Sequence, residues 1–221
     1  MDAINFIKLR EEIIWSLCSC GNYTEWAQHF EKIIERLQPN SQICELIMDL
    51  SVTSQVHRDY LIDFASWLCS NSEEYRQIYE EIFKNSYETI SQGDVESDHH
   101  RIYEETKFFA VLFWRDSISW NILSCITLKE YSSSCKEYFI TLLLLEMSRN
   151  LGSENLCARL MDPNLQKKLD GLFPKDKIEN SLYAMRIFEL VNLQQLALDL
   201  QKCLNTTEND ELTLGVEQMS L

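Results

Sequence analysis

Two adjacent histidines, His99 and His100, could bind a metal ion. His99 and His100 follow Asp94 and Asp98 in a polar, acidic stretch. Zinc accepts imidazole and carboxylate ligands, but adjacent side chains point in different directions, and no cysteine lies near these two. We expect the histidines to be solvated, and we expect neither a metal nor a cofactor in the protein.

Four pairs of adjacent glutamates could supply a general acid and a general base. They are Glu11–Glu12, Glu73–Glu74, Glu80–Glu81 and Glu104–Glu105. Each pair lies in a segment with helical periodicity, where residues next to each other in sequence do not face each other. We expect all four pairs to lie on solvated helix surfaces. The sequence also lacks a glycine-rich phosphate loop, GxSxG and HExxH, so we predict that the protein is not an enzyme.

The eight cysteines could indicate disulfides, a zinc site or a catalytic thiol. Cys18 and Cys20 are too close together to resemble the CxxC pair of a zinc ribbon, and the other six cysteines occur singly within apolar helical patterns. We expect small core residues in a reducing compartment. A thiol or metal hydrolase would lose activity when one Cys or His is changed, whereas we expect such changes to alter stability only.

One basic concentration stands out, in the stretch Asn155–Phe188 with the sequence NLCARLMDPNLQKKLDGLFPKDKIENSLYAMRIF. Ordinary surface charge would explain it, since surface charge seldom has a specific role. We nevertheless predict that this stretch is the partner-binding edge of the protein. The candidate binding residues are Arg159, Asp162, Lys167, Lys168, Lys175, Asp176 and Lys177.

The charge balance argues against independent binding to nucleic acid. The formal net charge is −15, and residues 1–90 contain 7 basic against 15 acidic residues, whereas residues 106–204 contain 12 against 11. Affinity for a phosphate backbone comes largely from Lys and Arg. We therefore expect a protein partner with a basic face, and only weak or indirect contact with RNA.

The same basic stretch contains several helix boundaries. Asp162–Pro163 predicts an N-cap followed by proline in the first helical position. Gly171 is predicted to end a helix in a left-handed conformation, with Pro174 preventing its continuation. Asp176 and Glu179 have the spacing of a capping box for the next helix. The sequence therefore predicts a sharp turn between two short helices.

The rest of the chain predicts an all-α fold. Only five glycines and three prolines interrupt it, and apolar residues recur at helical spacing almost throughout. About ten helices joined by short turns indicate a HEAT-like α-α superhelix of antiparallel pairs, with a globular helical bundle as the alternative. We predict one helical domain over residues 1–204, an acidic mobile connection at 91–100, and a disordered acidic tail at 205–221. The longest apolar run, Tyr138–Met147, is too short to span a membrane.

Three segments together resemble a known family. They are the stretch Asn155–Phe188, KFFAVLFWRDSISWNIL at Lys107–Leu123, and ICELIMDL at Ile43–Leu50. The combination of ARLxD, LQ, GLFPxD and a DSxxW corner is similar to the C-terminal MA-three domain of the Cwc twenty-two (nucampholin) family of pre-mRNA-splicing factors. The similarity extends from about Asn5 to Leu204. It implies a HEAT-like fold, in agreement with the helical spacing.

The resemblance also implies a function. Members of this family are nuclear, non-enzymatic scaffold proteins that contact core proteins of the U-five particle in the catalytic spliceosome and recruit a DEAD-box RNA helicase linked to exon junction complex assembly. The helicase contact belongs to a separate preceding domain of the family, so no helicase-binding residue is assigned here. The alternative is a module that binds a DEAD-box helicase directly, as the MA-three domains of initiation factor four-G and programmed cell death protein four do.

Overall fold

The computed structural model describes residues 3–34, 39–90, 95–130 and 133–205, which form helices and no strand. One of the helices is a 3₁₀ helix, Trp120–Cys125. The α-helices are α1 (Ala3–Ser19), α2 (Tyr23–Ile34), α3 (Ser41–Thr53), α4 (Arg58–Asn71), α5 (Glu73–Thr89), α6 (Val95–Trp114), α7 (Ser134–Leu151), α8 (Ser153–Leu160), α9 (Pro163–Gln166), α10 (Ile178–Leu190) and α11 (194–205).

The helices belong to two compact units. Unit 1 contains residues up to Ser86 together with His100–Ser119. Its consecutive helices pack in pairs, α1 with α2 and α3 with α4. Aromatic rings fill its core: Phe30 meets Phe64 edge to face, with ring centroids 4.3 Å apart. Phe83 makes similar edge contacts with Phe109 and Phe113. Such contacts add to the stabilisation from apolar burial.

Unit 2 contains Tyr87–His99 and the described residues from Trp120 onward. Its central helix is α7, which begins at the N-cap Ser133, whose hydroxyl accepts a hydrogen bond from the amide of Lys136. The helix ends at Gly152, whose φ of 85° is the left-handed conformation that glycine adopts easily. Helix α8 packs against both α7 and α9. Seven residues of α7 are buried, Cys135, Phe139, Ile140, Leu143, Leu144, Glu146 and Met147.

The predicted all-α class is confirmed, and within each unit consecutive helices pair as they do in HEAT-like folds. The prediction of one domain over 1–204 stays a prediction. Helix α6 begins at Val95, whereas we expected a connection up to His100, so 95–100 are helical. Residues 91–94 of that connection, and 206–221 of the predicted tail, lie outside the described residues.

The expectation of solvated surface was wrong for one glutamate pair. Glu104 and Glu105 on α6 are buried, only 4% and 5% exposed. Arg58 of α4 forms an ion pair with Glu104 at 2.6 Å, and Arg101 forms one with Glu105 at 2.5 Å. Arg101 also reaches Asp49 of α3 at 3.0 Å. Two buried carboxylates are therefore compensated by arginines, which is the condition under which charges occur in a core.

The cysteines are all free thiols. Cys44, Cys69, Cys135 and Cys157 are buried, as predicted for core residues, whereas Cys18 is exposed. Within the described part of the chain, no group of three His, Cys, Asp or Glu side chains is arranged to hold a metal ion. None of the helices in these residues is long and apolar enough to cross a membrane.

Candidate functional site

The first part of the candidate edge is α8 and α9. The guanidinium of Arg159, in the last turn of α8, lies 4.5 Å from the ring centroid of Trp120. The amine of Lys168 donates to the side-chain oxygen of Asn121 at 3.2 Å. Trp120 is buried, so Arg159 covers an apolar ring with its charged group. Both cations therefore pack on the 3₁₀ helix as well as facing solvent.

The predicted cap at Asp162 is confirmed. Its carboxylate accepts hydrogen bonds from the amides of Asn164 at 2.9 Å and Leu165 at 3.2 Å, and Pro163 occupies the first helical position. The side chain thereby satisfies amides that have no partner within the helix. Asp162 is exposed, but its carboxylate has a structural role at the start of α9.

The prediction that Gly171 ends a helix in a left-handed conformation was wrong, because its φ is not positive. Among the described glycines, Gly152 alone has a positive φ. Gly171 instead lies against the segment after the 3₁₀ helix, and its carbonyl accepts a hydrogen bond from the amide of Leu128 at 2.8 Å. A Cβ at this position would overlap the carbonyl oxygen of Ile126. Glycine is therefore required here by a contact between two distant segments.

The start of α10 also differs from the predicted capping box. Its N-cap is Lys177, which makes no side-chain cap, and α10 begins at Ile178. Both carboxylate oxygens of Asp176 accept from the side-chain amide of Asn180 at 3.2 Å. This hydrogen bonding lowers the pKa of Asp176 below its ordinary value of 3.8. The hydroxyl of Ser181 donates to the carbonyl of Pro174 at 2.7 Å and fixes the turn before the helix.

A cavity of about 480 Å³ lies beside this turn. Its lining includes Leu128 and Phe173, which are buried, together with Gly171. Two oppositely charged candidate residues, Lys175 and Asp176, line it. The other lining residues are Thr127, Lys129, Asp170, Pro174 and Asn180. The lining therefore combines buried apolar side chains with charged and polar ones, which could contact both apolar and charged groups of a partner.

The seven candidate residues thus fall into four groups. Arg159 and Lys168 pack on the 3₁₀ helix, and Lys175 and Asp176 line the cavity. Asp162 caps α9. The other two candidates, Lys167 and Lys177, are exposed at helix ends.

The sequence analysis did not identify the segment 126–130, part of which lines the cavity together with residues 170–180. The amide of Thr127 donates to the hydroxyl of Tyr87 at 3.2 Å, and the amide of Glu130 donates to the side chain of Asn180 at 3.3 Å. These partners are about 40 and 50 residues away in sequence. The one local signal was the DSxxW corner, which places Trp120 beside Arg159.

The chain is similar to curated splicing factors. It is 31% identical over 216 residues, 96% of its length, to the pre-mRNA-splicing factor CWC22 homolog of Drosophila melanogaster. It is 28% identical over 205 residues to the pre-mRNA-splicing factor CWC22 homolog of Homo sapiens. It is 27% identical over 208 residues to the pre-mRNA-splicing factor cwf22 of Schizosaccharomyces pombe. No protein-family model matches the chain.

The matched region is a small part of each relative. The chain spans 16% of the Drosophila protein, 22% of the human protein and 23% of the Schizosaccharomyces pombe protein. The similarity covers 92% to 96% of the chain in the three comparisons. Nearly the whole chain is therefore homologous to one segment of pre-mRNA-splicing factors named CWC22 or cwf22.

Proposed function

We propose that this chain is a non-enzymatic protein–protein interaction module of a nuclear splicing scaffold. The observation that carries the proposal is the similarity to CWC22 splicing factors over 96% of the chain. The paired helices support an MA-three domain, which we propose extends over residues 1–204. The partners would be spliceosomal proteins, including core proteins of the U-five particle, with a link to exon junction complex assembly.

We propose that this contact uses the surface of unit 2 that carries the seven candidate residues, from Arg159 to Lys177. We call this surface the unit 2 edge. It presents a cavity lined by both apolar and polar residues, exposed lysines, and a turn that a hydrogen bond holds in place. A preformed surface binds with less loss of conformational entropy than one that must be ordered. The exposed cations Lys167, Lys175 and Lys177 would add electrostatic attraction to an acidic patch on the partner.

Affinity capture from nuclear extract tests the proposal. The purified chain should retain U-five core proteins, and the triple change Lys167→Glu, Lys175→Glu and Lys177→Glu should reduce their recovery. These three lysines are suitable because Arg159 and Lys168 pack on the 3₁₀ helix, where a change would also disturb the fold.

A matched control reverses the same number of charges elsewhere. Lys8→Glu, Arg10→Glu and Lys32→Glu change three exposed residues of α1 and α2 in unit 1, and recovery should then equal that of the unmodified chain. Capture without any U-five protein would refute the splicing proposal. Direct, lysine-dependent binding to an initiation-type DEAD-box helicase would favour the alternative function instead.

A further inference from the structure

A second surface, in unit 1, exposes three large aromatic side chains. Tyr60 and Trp67 lie on α4, and Trp114 is the last residue of α6; they are 37%, 38% and 44% exposed. Tyr60 and Trp67 are seven residues apart, which places them on one face of the helix. Tryptophan, tyrosine and arginine are the residues that most often dominate binding energy at protein interfaces.

An ion pair joins these aromatic residues into one surface. Asp63 lies between Tyr60 and Trp67 on α4 and forms an ion pair with Arg115 at 2.5 Å. The guanidinium of Arg115 in turn lies 5.7 Å from the ring centroid of Trp114. We call these five residues the α4–α6 aromatic surface.

The exposed rings of Tyr60 and Trp67 on α4 stack on buried rings of the core. Tyr60 stacks on Trp26 with ring centroids 6.1 Å apart, and Trp67 stacks on Phe64 at 5.3 Å. Trp26 and Phe64 are buried in the core of unit 1. The exposed rings therefore present fixed planes to solvent, and a partner that stacks on them does not have to order them.

The charge at this surface favours a basic partner. Asp59 and Asp116 are exposed next to its members in sequence, so with Asp63 three acidic residues accompany the single base Arg115. Residues 1–90 as a whole contain 7 basic against 15 acidic residues. A guanidinium is planar, always charged and only weakly hydrated, so it stacks on indole rings better than an ammonium does.

We propose that the α4–α6 aromatic surface binds an arginine-containing basic segment of a protein partner. The guanidinium groups of that segment stack on Trp67 and Trp114, and the surrounding aspartates attract its positive charge. Arg115 already places one guanidinium over Trp114 in this manner. The acidic surroundings disfavour a single-stranded nucleic acid, which would otherwise also stack on exposed aromatic rings.

Fluorescence anisotropy with labelled peptides tests this proposal on the full chain. The probes are a peptide of about 12 residues with alternating arginine and glycine, its lysine counterpart, and a single-stranded RNA of similar length, in about 0.15 M salt. We expect the arginine peptide to bind more tightly than the lysine peptide. Trp67→Leu and Trp114→Leu keep apolar bulk but remove the rings, and each should weaken binding roughly two- to fivefold.

Two further variants test whether the effect is specific to these tryptophans and whether the acidic charge of the surface contributes to binding. Trp15→Leu removes a 63% exposed tryptophan on α1, away from this surface in sequence, and should leave the affinity unchanged. Asp59→Lys changes an exposed charge without touching the core and should weaken arginine-peptide binding. Equal affinity for the arginine and lysine peptides, no effect of the two tryptophan changes, or tighter binding of the RNA would each overturn the proposal.

Discussion

Gly171 shows how a single backbone position can hold two segments together. Its carbonyl accepts from Leu128, and a side chain would collide with the Ile126 carbonyl and lie 3.2 Å from the hydroxyl of Thr127. Thr127 and Leu128 line the unit 2 cavity, so Gly171 connects the stability of unit 2 with the shape of its candidate site.

We predict that Gly171→Ala destabilises the chain by about 1–3 kcal/mol, because backbone atoms must move to admit the methyl group. Urea unfolding followed by circular dichroism measures the difference. Gly21→Ala is the matched control: its nearest atom would be the Glu25 carboxylate oxygen at 3.7 Å, an ordinary contact. Equal stabilities for the two variants would contradict the predicted collision.

The buried thiols permit a second prediction at this scale. Burial raises the pKa of both Cys44 and Cys69 to about 12. Only the thiolate reacts, so at pH 8 about one molecule in ten thousand is reactive at either position. We expect a disulfide reagent to label the exposed Cys18 in the native protein and to label Cys44 and Cys69 only after denaturation. Labelling of all three at one rate in native conditions would refute this.

The helix boundaries show what sequence reasoning can and cannot reach. Asp162–Pro163 was predicted correctly, because a cap is made by atoms within three residues of one another. Glu104 was assigned to the surface because its partner Arg58 lies on another helix, and nothing in the local pattern around either residue indicates the pairing. The same limit applies to Gly171, whose contact partner lies 45 residues earlier at Ile126.

The Arg58–Glu104 pair couples α4 to α6, and its removal should be costly. Arg58→Ala would leave a carboxylate that is 4% exposed without its counter-charge, and we expect a loss of about 3–5 kcal/mol. Replacing both partners, with Arg58→Met and Glu104→Leu, should restore most of that loss because no buried charge remains. Chemical unfolding of the single and double variants measures the difference.

An exposed pair supplies the comparison for this experiment. Arg186 is 73% exposed and lies 3.9 Å from Glu137, so Arg186→Ala should cost no more than about 1 kcal/mol. If Arg58→Ala were equally mild, the buried Arg58–Glu104 pair would contribute no more to stability than an exposed pair, and the prediction would be wrong.

Glu105 should give unit 1 a pH dependence opposite in sign to that of a carboxylate whose pKa is lowered on folding. Burial raises its pKa above 4.5, and the charge of Arg101 only partly opposes this. The folded state therefore binds this proton more tightly than the unfolded state. The resulting stabilisation is present below pH 4.5 and is lost as the pH rises through the folded pKa.

The pH dependence of urea unfolding, compared between the native chain and Glu105→Gln, tests this sign. Between pH 4.5 and neutrality, the free energy of unfolding of the native chain should fall relative to that of the variant. Gln77→Ala, an exposed change on α5 that removes no titratable group, should not alter the slope. A native chain that gains stability relative to Glu105→Gln over this range would show a lowered pKa instead.

At the scale of the whole molecule, the two units carry different candidate surfaces. Unit 2 has the cavity beside the turn before α10, and unit 1 has the α4–α6 aromatic surface. The sequence predicted the helical class well because helical periodicity runs through nearly the whole chain. It indicated the unit 2 edge through clustered lysines, but the unit 1 surface depends on contacts between residues distant in sequence, Tyr60 with Trp26 and Asp63 with Arg115.

The net charge of −15 leads to a prediction about RNA for the whole chain. A splicing module that acts through proteins need not bind RNA itself, and the lysines of the unit 2 edge are offset by acidic neighbours such as Asp170 and Asp176. We expect no measurable shift of single-stranded RNA in a native gel at about 0.15 M salt, where nonspecific binders have dissociation constants of about 10⁻⁴ to 10⁻⁶ M. Lys167→Glu and Lys177→Glu should make no difference. RNA binding that falls steeply with salt and disappears in these two variants would instead identify the edge as a nucleic-acid interface, because counterion release at lysines produces that dependence.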